Sequence, residues 1–215
     1  MKIGILGSGD VGRSLGRGFA AKGHSVMIGS RTPGKPELAE WKKAVGAKAS
    51  TGTFAEAAAH GDLLVLCTHG AANEAAIDLA GTENFAGKVV IDVTNPLDFS
   101  KGMPPGLFVG TTDSLAERVQ RKVPQAKVVK AFNIVNANTM IAPKMKEGLP
   151  DMFVCGDDEG AKRSVAAILK DFGWGEPIDL GGIENARWTE ALVPLWVRAA
   201  QTLGSWNVAF RVLRS

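Results

Sequence analysis

The first 31 residues constrain the fold more than any other part of the chain. Lys2-Ile3-Gly4-Ile5-Leu6 is a short apolar strand, Gly7-Ser8-Gly9-Asp10-Val11-Gly12 is a G-x-G-x-x-G turn, and Ser25-Val26-Met27-Ile28 is a second strand after an amphipathic stretch. A strand that passes through such a turn into a helix and on to a second strand is the opening βαβ unit of a dinucleotide-binding sheet. Gly7 lets the chain leave the strand in a tight turn. Gly9 leaves room for a pyrophosphate against the backbone, and Gly12 lets the helix lie close to the strand. The helix then begins with free N–H groups and the positive end of its dipole facing the phosphates. The alternative is a structural glycine turn in an α/β protein.

The end of the second strand speaks to the ribose. Dinucleotide sites that prefer an unphosphorylated ribose place Asp or Glu there. This chain has Ser30-Arg31-Thr32, with Lys35 close behind. A carboxylate would repel a 2′-phosphate. Arg31 can pair with one and stack on the adenine, Ser30 and Thr32 can donate hydrogen bonds, and Lys35 adds charge. The expected cofactor is therefore NADP(H) rather than NAD. The alternative is a solvated Arg in a surface loop.

Strand and helix patterns alternate along most of the remaining length, which predicts a doubly wound, mostly parallel Rossmann-like α/β sheet. Helices are expected over 37–44, 54–60, 71–80, 114–122 and 159–172. Strands are expected over 47–50, 63–67, 88–93, 127–132, 152–155 and 176–180. The run Leu63 to Cys67 is apolar throughout, as a strand buried on both faces must be. The last stretch differs. Trp188, Leu192, Leu195, Trp196, Ala199 and Leu203 recur at helical spacing, a stripe that is core or interface. Pro194 should kink or divide that helix, and the alternating residues 206–213 read as a closing strand. The expected organisation is an NADP-binding domain over 1–182 and a small C-terminal segment over 183–215 that closes the substrate cleft.

Composition narrows the function classes. With 45% apolar and 22% charged residues and a net charge of +3, the chain has the profile of a soluble globular protein and no case for nucleic acid. No stretch is long and apolar enough for a membrane span, and no signal peptide precedes the first strand, so a cytoplasmic location is expected. Cys67 and Cys155 each close an apolar run and read as buried thiols. They form no metal-ligand spacing with His24, His60 and His69, so no metal site is expected.

Ligands of open α/β sheets bind at the carboxyl ends of the strands. The segments there are Thr68-His69-Gly70, Asn95-Pro96-Leu97 and Asn133-Ile134-Val135. They offer hydroxyls and amides that suit ribose, carboxamide and pyrophosphate. His69 is the titratable group among them, either touching the nicotinamide or serving as a loop histidine. Asn95 could hold ribose or carboxamide, or Asn95-Pro96 could be turn chemistry alone. Lys130 is either an active-site cation or a strand residue at a solvated edge. The chain has no tyrosine, which removes the Tyr-x-x-x-Lys chemistry of short-chain alcohol dehydrogenases. Hydride transfer between two planar rings needs stacking and close approach more than a protein acid.

In order along the chain stand Gly7 to Gly12, Gly29-Ser30-Arg31, Asp92-Val93-Thr94-Asn95-Pro96-Leu97, Val128-Val129-Lys130-Ala131-Phe132-Asn133 and Glu184-Asn185-Ala186-Arg187. On these segments the chain resembles the NADPH-dependent deazaflavin (coenzyme 420) reductase family. The same module is similar to the cytoplasmic oxidoreductase domain of the STEAP metalloreductases. The resemblance implies that Ser8, Asp10, Val11, Ser30, Arg31, Thr68, His69 and Asn95 contact NADP. It places Ala131, Phe132, Asn133 and Ile134 beneath the second ring system and implies a homodimer. The expected activity is hydride transfer between NADPH and a deazaflavin or flavin-like acceptor, a small-molecule partner. The alternatives are an NADPH-dependent flavin or ferric reductase, a hydroxyacid- or imine-reducing enzyme, and a non-enzymatic NADP-binding regulator.

Overall fold

The computed structural model describes residues 1–213. The glycine turn sits between β1 (Lys2–Leu6) and α1 (Asp10–Ala21), and β2 (Ser25–Gly29) completes the first unit. The chain continues through α2 (Pro36–Val45), β3 (Ala49–Gly52), α3 (Phe54–His60), β4 (Leu63–Leu66), α4 (Asn73–Ala80) and β5 (Val89–Asp92). The hairpin β6 (Leu97–Asp98) and β7 (Gly106–Leu107) then precedes α5 (Leu115–Lys122) and β8 (Lys127–Lys130). The remainder is α6 (Ala137–Ile141), β9 (Phe153–Val154), α7 (Glu159–Asp171), β10 (Ile178–Asp179) and α8 (Ala186–Leu203).

Six parallel strands form one sheet in the order β3-β2-β1-β4-β5-β8. The order reverses between β1 and β4, and a crevice opens at the carboxyl ends of strands at such a point. Side chains alternate between the two faces. Ile3, Ile5, Val65, Ile91 and Val129 pack with Leu15 and Phe19 of α1 and with Leu38 and Trp41 of α2. Leu6, Leu64, Leu66, Val90 and Val128 pack with Phe54, Ile77 and Val119 on the other face. Strand β4 is buried at every position and so on both sides, which explains its uninterrupted apolar run in the sequence.

Three local expectations are corrected. The strand expected over 127–132 ends at Lys130, because Phe132 takes φ +66, a left-handed conformation that extended backbone cannot continue. Pro194 does not divide the last helix. Helix α8 runs unbroken from Ala186 to Leu203, so the backbone bond that Pro194 cannot donate is lost without ending it. Residues 206–213 form no strand. Their bonds go to scattered partners instead of a ladder. The Trp206 carbonyl accepts from the Asn136 side chain at 2.8 Å, the Val208 carbonyl from the Trp196 indole at 2.8 Å, and the Phe210 carbonyl from the Asp151 N–H at 3.0 Å.

Candidate active site

The carboxyl ends of the strands border a cleft of about 800 Å³ at the switch between β1 and β4. One wall is the glycine turn. Gly7 has φ +133, and a Cβ there would stand 2.6 Å from the Cys67 carbonyl oxygen, so only glycine serves. A Cβ on Gly12 would run into the Gly7 carbonyl, which is why α1 can start so close to β1. Gly9 is the opposite case. A Cβ on it would meet no protein atom within 4 Å, because it would project into the open cleft. No side chain caps α1, and the first helical bond runs from the Arg13 N–H to the Gly9 carbonyl at 3.0 Å. The N–H groups of the first turn are therefore available to an anion.

The ribose end is assembled from β2 and the loop after it. The Ser30 oxygen accepts from the Ser8 hydroxyl at 3.0 Å and from the Thr32 N–H at 3.1 Å, which leaves its own O–H to donate elsewhere. Lys35 Nζ donates to the Ser8 carbonyl at 3.1 Å, alongside the Arg13 guanidinium at 3.0 Å. Arg31 and Thr32 are exposed and line the cleft. Three cations, Arg13, Arg31 and Lys35, and three hydroxyls gather here with no carboxylate at the strand end. That donor set fits a ribose phosphate and disfavours a bare ribose.

The floor is formed by the segments after β4 and β5, and it is held from below. Thr68 Oγ1 donates to the Asn73 side-chain oxygen at 3.2 Å, and Asn73 Nδ2 donates to Thr94 Oγ1 at 3.1 Å. Thr94 in turn donates from Oγ1 and from its backbone N–H to Asp92 Oδ1, at 2.6 and 3.0 Å. Asn95 and Asn133 are paired amide to amide. Asn133 Nδ2 donates to Asn95 Oδ1 at 3.0 Å, and Asn95 Nδ2 donates to the Asn133 carbonyl at 2.9 Å. His69 is exposed at the start of a 3₁₀ turn over Gly70–Ala72. Cys67 also borders the cleft, and desolvation with the Asp92 carboxylate pushes its thiol up to about 12, so it stays protonated and non-nucleophilic. Leu79 and Phe99 bring exposed apolar side chains to the cleft.

Most residues singled out from the sequence converge here. Gly7, Ser8, Gly9, Asp10, Val11, Ser30, Arg31, Thr32, Lys35, Thr68, His69 and Asn95 all line the cleft. Gly12 and Pro96 are buried and do not. Ala131, Phe132, Asn133 and Ile134 do not line it either. The first two and Ile134 are core residues, and Phe132 packs its ring 6.2 Å from that of Phe172. With the chain turned at Phe132, these side chains point into the core, and only the Asn133 amide reaches the floor, through Asn95. None of the described residues of the C-terminal segment lines the cleft. Two features escaped the sequence reading. Phe99 lies in a Gly/Pro-rich stretch with no periodic pattern to mark it. Asn73 stands in an alanine-rich run, and only the fold brings it to Thr94.

The family model described as NADP oxidoreductase coenzyme F420-dependent matches residues 2–96. The F420-dependent NADP reductase of Methanocaldococcus jannaschii is 33% identical over 92% of this chain and 91% of its own length. The chain belongs to the F420-dependent NADP reductase family. A crystal structure titled as a putative F420-dependent NADP-reductase from Arthrobacter sp. FB24 superposes with a TM-score of 0.95 at 44% identity, over the whole of both chains. Rat metalloreductase STEAP3 is 32% identical over 96% of this chain, but the chain spans only 38% of that protein. Among the described residues, no helix is long and apolar enough to cross a membrane, and no cluster of His, Cys, Asp and Glu could hold a metal.

Proposed function

We propose that this member of the reductase family transfers a hydride between NADP(H) and a deazaflavin of the F420 type. The observation that carries the reading is the cleft itself. An uncapped helix N-terminus, a glycine whose missing Cβ keeps the space above it open, and the Ser30-Arg31-Thr32 group stand in one cavity. When bound, the nicotinamide supplies a two-electron hydride donor or acceptor. The chain's residues do the rest. Gly7, Ser8, Gly9, Asp10, Val11 and Gly12 form the pyrophosphate turn, and Ser30, Arg31, Thr32 and Lys35 hold the 2′-phosphate. Thr68, His69 and Asn95 face the ribose and nicotinamide, with Pro96 fixing the turn below. Phe99 and the β6–β7 hairpin supply apolar surface against which a planar acceptor can lie. The reacting groups need alignment rather than a protein acid.

Residues 1–182 are then the NADP-binding unit and 183–215 an appended segment whose helix buttresses the floor. The outward face of α8 carries Trp188, Leu195 and Leu203, which are 58%, 58% and 67% exposed. That stripe supports a homodimer formed with a second copy through α8. A cytoplasmic location follows from dependence on a reduced nicotinamide pool.

Stopped-flow absorbance with NADPH and, in parallel, F420, FMN, FAD and ferric chelates tests the activity. Rapid reduction of F420 alone is expected, with His69→Ala slowing it by no more than about tenfold because no proton relay is involved. Reduction only of flavins or iron would replace this reading with that of a flavin or ferric reductase. Light scattering that gives twice the chain mass, and a single-chain mass for Leu195→Glu, is expected for the homodimer.

A further inference from the structure

Lys130 lies outside the cleft, 1% exposed, at the end of the edge strand β8. Its Nζ donates to Asp92 Oδ2 at 2.9 Å, to Glu190 Oε1 at 2.7 Å and to the Thr94 carbonyl at 2.5 Å. Burial alone would lower the ammonium's affinity for its proton, but the two carboxylates outweigh it, so Lys130 titrates above its ordinary range. One buried cation between two buried carboxylates leaves an excess negative charge. That charge is met by the N-terminus of α5, where the Leu115 and Ala116 N–H groups donate to Glu190 at 2.8 and 3.1 Å.

We propose that Lys130 is a positioning residue for hydride transfer. With Glu190 of α8, it sets the height of the Val93–Asn95 stretch that floors the nicotinamide end of the cleft. The inference rests on the hydride-transfer reading above. Past Asp92 the Thr94 carbonyl has left the strand ladder, and the ammonium is the group that holds it. The Thr94 hydroxyl and N–H are held by Asp92, which the same ammonium orients. Thr68, on the neighbouring floor segment, joins the frame through Asn73. The preceding residue of α8 acts in parallel, since the Thr189 carbonyl accepts from Asn133 Nδ2 at 3.1 Å, and Asn133 grips Asn95. Both floor residues, Thr94 and Asn95, are thus tied to α8 from beneath.

A tie that served stability alone would not need charges here. Well-packed apolar residues commonly replace a buried ion cluster at no cost in stability. What the charged frame adds is a single geometry, because each donor and acceptor in it has one direction. A floor displaced by an ångström would misalign the ring that presents the hydride.

The test compares the two ends of the cleft in the full-length chain. Lys130→Met and the milder Glu190→Gln are measured for thermal midpoint, for affinity toward 2′,5′-ADP, which contains only the adenosine half, and for the single-turnover rate of F420 reduction at saturating NADPH. For Lys130→Met the rate is expected to fall about 10- to 100-fold while 2′,5′-ADP affinity stays within about twofold of wild type. Glu190→Gln should show the same split with a smaller drop, and it carries the test if Lys130→Met does not fold. A folded variant with the wild-type rate would overturn the proposal. So would parallel loss of rate and of 2′,5′-ADP affinity, which marks general damage. If the wild-type chain itself does not reduce F420, the functional reading fails separately. The positioning role is then read from NADP⁺ binding, which Lys130→Met should weaken while sparing 2′,5′-ADP, and equal effects on the two ligands would overturn it.

Discussion

The two ends of the cleft are built in opposite ways. The pyrophosphate and ribose end is made of backbone and short polar side chains from one contiguous βαβ unit, and its strongest constraints are glycines. The floor of the other end is made of buried polar side chains from β5, β8, α4 and α8, and it is held by Lys130, Asp92 and Glu190, none of which lines the cleft. The first end is a local solution that any sequence with the right turn can adopt. The second exists only once distant parts of the chain have folded together. Damage to the first should therefore appear as lost binding, and damage to the second as lost rate or stability.

The sharpest way to break this contrast is Gly9→Val. A Cβ there meets no protein atom within 4 Å, and the side chain it carries fills the cradle, so the fold should survive while NADPH affinity drops by about 100-fold or more, a loss of roughly 3 kcal/mol. Gly12→Val is the control at the same turn, because its Cβ strikes the Gly7 carbonyl and destabilises the protein itself. Fluorescence titration with NADPH and a thermal melt of each variant separate the two. Retained NADPH affinity in Gly9→Val would remove the pyrophosphate role of the turn.

The same contrast explains what was legible in the sequence. Strand β1 and helix α3 were readable to the residue, because an apolar run ahead of a glycine turn and an alanine-rich stretch are local signals, and the structure caps that helix with a Thr53–Glu56 capping box. The glycine turn and the Ser30-Arg31-Thr32 group that line the cleft were readable because each is contiguous in the sequence. Lys130 was not. Its surroundings allowed an active-site cation or a solvated strand residue, and it is neither, since its partners lie 36 to 60 positions away. Helix α6 went unread although Asn136 signals it, with a side chain that accepts from the Asn138 and Thr139 N–H groups. The expected closing strand over 206–213 had the right alternation, but strand formation needs an open partner edge. Alternation says nothing about where such an edge lies.

A second, smaller effect sharpens the binding end. Arg31→Asp replaces the exposed cation at the end of β2 with the carboxylate that an unphosphorylated ribose prefers. NADPH affinity should fall about 10- to 100-fold, as expected for the loss of a charge-assisted phosphate contact, while NADH affinity holds or rises. Titration with both nucleotides decides it. Equal losses would mean that Arg31 contributes general stacking and not recognition of the 2′-phosphate.

The smallest expected effect lies at the other end and is one of stability. The Asn185-Ala186-Arg187 segment docks α8 onto α5 through Arg187, whose Nε donates to Glu117 Oε2 at 2.8 Å while Nη2 reaches Oε1 at 2.5 Å. The Ser114 hydroxyl adds a third bond to the same carboxylate at 2.7 Å. The guanidinium first, and Ser114 with it, holds the Glu117 carboxyl below its ordinary range. A carboxylate depressed in the folded state contributes stability that is present above its unfolded pKa, about 4.3, and lost as pH falls through the lower folded value. Glu117→Gln should therefore cost about 1 kcal/mol at neutral pH, a melting shift of roughly 2–4 °C in a chain of this size. The gap from wild type should narrow below about pH 4, as the wild-type carboxylate takes up its proton. NADPH affinity should stay unchanged, because the pair touches nothing in the cleft. Thermal melts of both proteins between pH 7 and pH 3 test the sign. A gap that persists undiminished at pH 3 would show that the side chain's packing, and not its charge, holds α8 in place.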